Sequence, residues 1–316
     1  MAQLKPRISI GMPVFNGEQY IREAVDSLLA QTYADFELII SDNGSTDETR
    51  TICEEYAARD SRIRYYRSNT NNGAAWNYNR LVELAQGEFF RWAAHDDVVA
   101  PTHLEHCVAV LETQPDVVLC YPKTMLIDEN GVLLREYEDR LNLQSDKAYV
   151  RYNDFHKVST RMMNVAFGLM RMSALRETLL IGSYQSSDRN LIAELALRGT
   201  FHEVSEYLFF RREHAQMSVK ANRPASERAV WFDPSNRGRV QFPNWRLFCE
   251  YVASVNRVPL SRMDKAICYA RMGQWIVYPG NVARIGLEVL TAMVWPVYES
   301  INMRRAMQNE LRRKSV

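Results

Sequence analysis

Paired cysteines, an excess of one charge, a long apolar run and the common glycine-rich nucleotide fingerprints are all missing from this chain. The five cysteines, Cys53, Cys107, Cys120, Cys249 and Cys268, are scattered, odd in number and form no CxxC pair. Cysteines so placed read as small core residues, which argues against a zinc module and a disulfide framework and fits a reducing compartment. Lysine and arginine number 39 against 38 aspartates and glutamates, a net charge of +1. A whole-molecule electrostatic partner such as nucleic acid is therefore not expected, although a local patch stays open. No stretch reaches the roughly 18 apolar residues of a membrane-spanning helix, and MAQLKPRISIG has no signal-peptide core. The chain is expected in the cytoplasm. Neither GxGxxG nor GxxxxGK followed by Ser or Thr occurs, so the usual NAD and ATP readings of an α/β sheet lose their main support.

What is present is an ordinary globular composition, 47% hydrophobic and 24% charged over 316 residues, enough for one large α/β domain plus an addition. Arg7 to Met12 alternates apolar residues and reads as a first strand, and from Glu18 the positions Ile21, Ala24, Val25, Leu28 and Leu29 have helical spacing. Phe36 to Ser41 is a second strand, after which Ser45 and Glu48 read as a capping box opening the next helix. Ile63 to Arg67 is a third strand, followed by an Asn71-Asn72-Gly73 turn and a helix through Leu81, Val82 and Leu84. Phe89, Phe90 and Trp92 form a fourth strand that runs into Asp96 and Asp97, with a helix opened by Pro101 behind them. Strands alternating with helices at this spacing predict a mainly parallel sheet covered on both faces. Ligands of such sheets bind beyond the carboxyl ends of the strands. Pro13 to Glu18, Asp42, Gly73 to Asn77 and the Asp96-Asp97 pair all fall at those ends.

Two adjacent carboxylates at the edge of a core repel each other and resist desolvation, and a hard divalent cation such as Mg²⁺ or Mn²⁺ relieves both effects. An acidic loop capping the following helix is the plainer alternative. Asp42 can accept a hydrogen bond from a pyrimidine N–H or close an Asx turn within SDNGS. Asn16 can contact a ligand or cap a helix, and Trp76 taken alone reads as core.

Read in order, ISIGMPVFNGEQYI, FELIISDNGSTDET, NNGAAWNYN and AAHDD resemble the family 2 glycosyltransferases, which use nucleotide-sugar donors. The resemblance is firm from about Ile8 to Asp97, extends to about Ser218 and is lost beyond. It implies the GT-A fold: α/β, with a Rossmann-like, mainly parallel sheet covered by helices, here followed by a C-terminal helical appendix. Pro13, Phe15, Asn16 and Glu18 match the family's nucleotide wall, and Asp42 its uracil-edge aspartate. Gly73, Trp76 and Asn77 match the segment beneath the nucleotide and donor sugar. Asp96 and Asp97 match the paired carboxylates, Asp96 on the donor and Asp97 on the metal, aided by His95. Where the family often has a further aspartate two residues before the pair, this chain has Ala94. Asp188, at the start of a helix carrying Leu191, Ile192 and Leu195, matches the general base, with helix capping as its competing role. His214, after a strand from Phe201 to Arg212, matches a histidine that completes the metal or diphosphate site. Arg211 and Arg212 can offset diphosphate charge, one of them being expected as a solvated strand end.

The implied reaction is inverting, metal-assisted direct displacement from a nucleoside-diphosphate sugar, by family habit a UDP-sugar, to a hydroxyl of a glycan or lipid-linked glycan in surface polysaccharide synthesis. A catalytically silent nucleotide-binding partner subunit is the alternative left open by Ala94. A sugar nucleotidyltransferase ranks below both, because PVFNGEQ lacks the glycines and arginine of a triphosphate loop. Residues 1–220 are assigned to the catalytic domain, 1–100 as its nucleotide-sugar half and 101–220 as its acceptor half. Within the latter, Val117 to Tyr121 is a strand, Asp128 to Gly131 a hairpin turn, Glu136 to Thr160 a patternless loop and Asn164 to Met172 a strand. Residues 221–316 are read as a linker or acceptor loop, Pro224 to Pro243, and three helices from Trp245 onward. The last of these is apolar and precedes Arg304, Arg305, Arg312, Arg313 and Lys314. It can rest on an anionic inner membrane face or pack on the domain or on a second copy, and these readings stay open.

Overall fold

The structure, a computed structural model, describes residues 5–158, 162–217 and 225–294. Strand β1 (Ile8–Val14) is buried along its whole length and lies between β2 (Phe36–Asp42) and β4 (Phe89–Trp92), parallel to both. Strand β3 (Ile63–Arg67) continues the parallel run beyond β2. Helices α1 (Ile21–Leu29), α2 (Thr49–Arg59) and α3 (Ala74–Leu84) make the crossovers. Alternation along the strands sends Ile8, Ile10, Leu38, Ile40 and Phe89 into one core and Ile39 and Phe90 into another, so both faces are covered. Gly11 lets α3 seat closely: a Cβ there would stand 2.8 Å from that of Leu81.

Beyond β4 the sheet becomes mixed. The chain continues through β5 (Val98–Val99), α4 (His103–Thr113), β6 (Val117–Ile127), β7 (Leu133–Tyr137), α5 (Ala148–Lys157), β8 (Leu169–Arg171), α6 (Met172–Arg176), α7 (Ser187–Arg198) and β9 (Thr200–Arg212). The strand order is β3-β2-β1-β4-β8-β6-β9-β5, with β7 paired to β6. The expected parallel arrangement thus holds for β1 to β4 and for β6 with β9, whereas β5, β7 and β8 run antiparallel to their neighbours.

A helical C-terminal region follows: α8 (Ala225–Phe232), α9 (Pro243–Arg257), α10 (Arg262–Val277) and α11 (residues 279–294). Leu247, Tyr251 and Val255 of α9 and Met272 of α10 enter the same core as Leu191 and Leu195 of α7. Ser254 donates to Asn190 Oδ1 at 2.9 Å, and Arg257 pairs with Glu194 at 2.6 Å. These helices complete the core of the sheet domain rather than hanging from it.

Four local expectations are corrected. Ser45 and Glu48 form no capping box; the Ser45 hydroxyl accepts from Asn16 N–H, and the Glu48 N–H at the head of α2 is capped by the Glu18 carboxylate from another loop. The stretch read as a loop from 136 contains α5. Asn164–Phe167 is a 3₁₀ turn, with only Leu169–Arg171 extended. The segment read as a linker from Pro224 contains α8 and a 3₁₀ turn, Pro234–Asn236. The basic tail from Arg304 to Lys314 lies outside the described residues.

Candidate active site

The loops beyond β1, β2, β3 and β4 meet in a cleft of about 850 Å³, closed on one side by α8 and the turn after it. Of the residues singled out from the sequence, Pro13, Phe15, Asn16, Asn77, Asp96, Asp97 and His214 line it. The Phe15 ring is 42% exposed there, an apolar face with no partner of its own. Asn16 sits at φ +53 and accepts from Thr46 N–H through its side chain, tying the first loop to the second. It does not cap α1, which begins at Ile21 behind Tyr20. Asn77 donates through Nδ2 to Ser41 O at 2.9 Å, leaving its buried Oδ1 without a partner among the described residues. A buried acceptor so left over suits an N–H donor of a ligand.

Asp42, Glu18, Gly73 and Asp188 are not on this wall. Asp42 is fully buried and already engaged: it accepts from Ser45 N–H at 2.8 Å and Tyr65 Oη at 2.8 Å, and pairs with Arg67 at 3.3 Å. It closes the Asx turn, with no oxygen presented to the cleft. Glu18 serves the head of α2. Gly73 has φ +89 and admits α8, since a Cβ would come 2.5 Å from Phe232 O. Trp76 is neither core nor cleft; it is 40% exposed with Arg80 over its ring.

The floor is built by β4 and β9 together. Asp96 Oδ2 meets His214 Nε2 at 2.9 Å, and Asp97 Oδ1 accepts from Arg212 N–H at 2.9 Å. Burial opposes the charge on Asp96, but His95 and the hydrogen bond from His214 outweigh it and hold the carboxyl below its ordinary range. Asp97 goes the other way: burial, then the neighbouring Asp96 charge, push it up to about 7. His95 packs against Gly17, where a Cβ would stand 2.6 Å from the ring.

Neither arginine after the strand is a solvated end. Arg212 is buried, donating to Asp96 O at 3.0 Å, to Asp128 O and Glu129 O at 3.3 Å, and pairing with Glu23. Its guanidinium stacks 4.7 Å from the Tyr20 ring centroid, and Tyr20 in turn packs on His214. Arg211 lines the cleft and donates to Asn164 Oδ1. Tyr20, Tyr78, Trp231 and Arg237 also line the cleft and were not singled out. The last two lie in the segment taken for a linker, where only a helix-to-cleft contact across the fold reveals them.

Among the described residues no three His, Cys, Asp or Glu side chains gather as a metal cage. Two carboxylates and an imidazole are nonetheless adjacent, with His214 on Asp96 rather than on Asp97, and the buried His214 Nδ1 has no partner among the described residues. The pressure on Asp97 is the one a cation removes. This oxygen-rich, incomplete set fits a Mg²⁺ or Mn²⁺ ion that draws its other ligands from a diphosphate.

Asp188 stands in the first turn of α7, half-buried behind the cleft. Burial raises its carboxyl above the ordinary range, against Arg189 and the Arg189 N–H, which lower it. Its charge acts on Tyr78 of the cleft wall, and Arg211 acts on it in return.

The sequence profile described as Glycosyl transferase family 2 matches residues 9–179, more than half of the chain. The chain belongs to glycosyl transferase family 2. An uncharacterized glycosyltransferase of Rickettsia typhi is 40% identical to it over 127 residues, 40% of this chain and 39% of that protein. One of Methanocaldococcus jannaschii is 32% identical over 136 residues, 42% of this chain and 47% of its own length. The matches therefore span less than half of these curated relatives. Among solved structures, S. aureus TarS 1–349 in complex with UDP superposes with a TM-score of 0.61 at 17% identity, covering 86% of this chain and 72% of that one. The mannosyltransferase PcManGT from Pyrobaculum calidifontis, in complex with GDP-Man and Mn²⁺, gives 0.56 at 14% identity, covering 96% and 81%. At these identities the likeness is one of fold, and this family 2 chain shares the GT-A architecture. No helix among its described residues is long and apolar enough to cross a membrane.

Proposed function

We propose that the chain is an inverting glycosyltransferase whose first cleft binds a nucleoside-diphosphate sugar and delivers the sugar to a hydroxyl of a glycan or lipid-linked glycan. The observation that carries the reading is the meeting, in one cleft, of four strand-end loops with the Asp96–His214 pair and Asp97. Phe15 offers a ring to the base and Asn77 Oδ1 an acceptor. TarS is solved with UDP-GlcNAc and PcManGT with GDP-Man, which supports a nucleotide-sugar donor and leaves UDP as our first choice on family grounds.

Asp96 and His214 would hold a divalent cation with the donor diphosphate, Asp97 adding charge from below. Such an ion stabilises the charge that develops on the leaving nucleoside diphosphate. Arg211, on the same wall, adds a second cation for that charge. Asp188 receives the proton of the attacking hydroxyl; its raised pKa makes the ionised form a stronger base than an ordinary carboxylate. Attack from the side opposite the diphosphate inverts the anomeric centre, and no covalent sugar intermediate is needed. Residues 1–220 supply this chemistry, and the described part of 221–316, residues 225–294, the wall that closes the cleft and the acceptor side. Surface polysaccharide synthesis is the setting proposed.

Calorimetric titration of UDP, dTDP, GDP and CDP, with and without Mn²⁺, tests the donor reading on wild type and Asp96→Ala. One diphosphate is expected to bind only with metal and to be lost in the variant. Absence of binding in every condition sinks the reading and leaves a silent nucleotide-site homologue.

A further inference from the structure

A second cleft of about 1050 Å³ opens beside the first, between α5, the start of α7, α9, α10 and α11. The chain as a whole is almost neutral, with a net charge of +1. This cleft is not: Lys157, Arg189, Arg228, Arg239, Arg271 and Arg284 line it against a single carboxylate, Glu288. That carboxylate is engaged, accepting from Asn244 N–H and Nδ2 at 2.6 Å and from Trp245 N–H at 3.2 Å, where it caps the head of α9. Arg271 and Arg284 donate only to the neutral oxygens of Gln274 and Asn281, and among the described residues neither they nor Arg239 meets a carboxylate. Lys157 is paired with Asp154 at 2.8 Å. The three arginines that meet no carboxylate among the described residues, Arg239, Arg271 and Arg284, repel one another, and an anion held between them removes that cost.

The wall formed by α11 is inverted relative to an ordinary surface helix. Its polar residues Asn281 and Glu288 face inward, at 6% and 8% exposure, while Leu287, Leu290 and Met293 are 65%, 61% and 69% exposed. Val282 and Val294 share the outward face, with Tyr278 exposed where the helix begins. An apolar helix face of this kind, rimmed by aromatic rings and arginines, suits an amphiphile whose charged head meets the rim and whose chain lies along the apolar side.

The two clefts are joined. Ser226 and Arg239 belong to both walls. Asp188 lies between them: Ser186 and Arg189, on either side of it in sequence, line the second cleft, while its charge acts on Tyr78 of the first. A base so placed can face an acceptor from the second cleft and a donor in the first.

We propose that the second cleft is the acceptor site and takes a lipid-linked glycan by the phosphate that joins its two parts, the phosphate among Arg239, Arg271 and Arg284 and the hydrocarbon along the outward face of α11. This rests on the first cleft being the donor site. The charge complementarity selects phosphate, and the continuity of the cationic cleft with the apolar face of α11 selects a lipid source over a free anion.

The test is calorimetry on the full chain with decyl phosphate below its micelle concentration, inorganic phosphate and decyl maltoside. Wild type is expected to bind decyl phosphate at least tenfold more tightly than either of the others. Arg271→Ala with Arg284→Ala, and separately Leu287→Asp with Leu290→Asp, should each weaken it at least tenfold. All four positions are off the first cleft, so nucleotide binding in these variants is expected unchanged and reports that they are folded. Equal binding of inorganic and decyl phosphate overturns the lipid assignment. Equal binding of decyl maltoside with an indifferent arginine pair overturns the phosphate. A wild-type dimer that Leu287→Asp with Leu290→Asp dissociates, with no alkyl phosphate binding, assigns the face to a second copy. Loss of nucleotide binding by wild type would instead sink the donor reading, whatever decyl phosphate does.

Discussion

The two clefts are of similar size, about 850 and 1050 Å³, and differ in how their charges are settled. In the first, the charged and polar groups are interlocked: Asp96 with His214, Asp97 with the Arg212 N–H, and Arg212 with Glu23. In the second, arginines line a wall whose one carboxylate faces a helix end instead. An interlocked site is preorganised, so losing one member costs both chemistry and stability. An unsettled cationic wall is held open by the fold around it, and losing one member should cost binding alone. The difference predicts where each substitution is felt.

Asp188→Asn is expected to have the largest effect. It keeps the size of a residue in the first turn of α7 but cannot take a proton. Nucleotide release from whichever donor the binding panel selects should fall about a thousandfold, with nucleotide affinity within about twofold of wild type. A loss of affinity with unchanged turnover would make Asp188 only a helix-head residue.

Arg212→Met comes next, because it strips donors from Asp96 O, Asp128 O and Glu129 O at a buried position. Unfolding in urea should show a loss of about 3 kcal/mol. Arg284→Ala, at an exposed position of the second cleft, should stay within about 0.5 kcal/mol of wild type. Equal losses would erase the distinction between an interlocked and an unsettled wall.

A smaller effect separates the clefts by pH. His156, on the second wall, is enclosed edge-on by Tyr152, Phe155 and Tyr251, and burial, reinforced by Arg271, pushes it down to about 3. Its folded pKa lies below the unfolded value of about 6.5. The unfolded chain therefore takes up a proton that the folded chain refuses. The stability this residue contributes is complete above about pH 6.5 and is lost as pH falls toward 3. Between pH 7.5 and 5 the loss is about 2 kcal/mol, and His156→Phe should remove that part of the slope in thermal or urea unfolding. An unchanged slope would place the titration elsewhere.

The same contrast explains what could be read in the sequence. The first four strands and their loops were legible because parallel βα units bring residues near in sequence to one edge, each loop carrying its own motif. Within that edge, Asp42 reads first as a uracil-edge contact and second as an Asx turn within SDNGS, and the structure engages its oxygens with Ser45 N–H and with Tyr65 and Arg67, two strand positions on β3 that no local spacing reveals. Helix α5 was missed because a buried arginine interrupts its apolar face. Arg151 donates to Ala196 O at 2.7 Å and to Leu197 O at 3.3 Å, satisfying the tail of α7. The second cleft was not legible at all. Its wall runs from Phe155 to Thr291 over six helices, and no local spacing marks residues that meet only through packing. The polar turn around Pro234 read as a linker for the same reason.

The finest test lies within the first cleft and concerns two rings of nearly equal exposure, Phe15 at 42% and Trp76 at 40%. Exposure alone would give them equal weight as stacking surfaces. Phe15 lines the cleft, whereas Trp76 stands off it with the Arg80 guanidinium 5.0 Å from its ring centroid. A base packed on Phe15 gains about 1 kcal/mol beyond simple burial, so Phe15→Ala should weaken nucleotide binding about fivefold and Phe15→Tyr should restore it. Trp76→Ala should leave the affinity unchanged. If the two alanine variants weaken nucleotide binding alike, the base does not lie on the wall beyond β1, and the donor must enter the cleft from the α3 side.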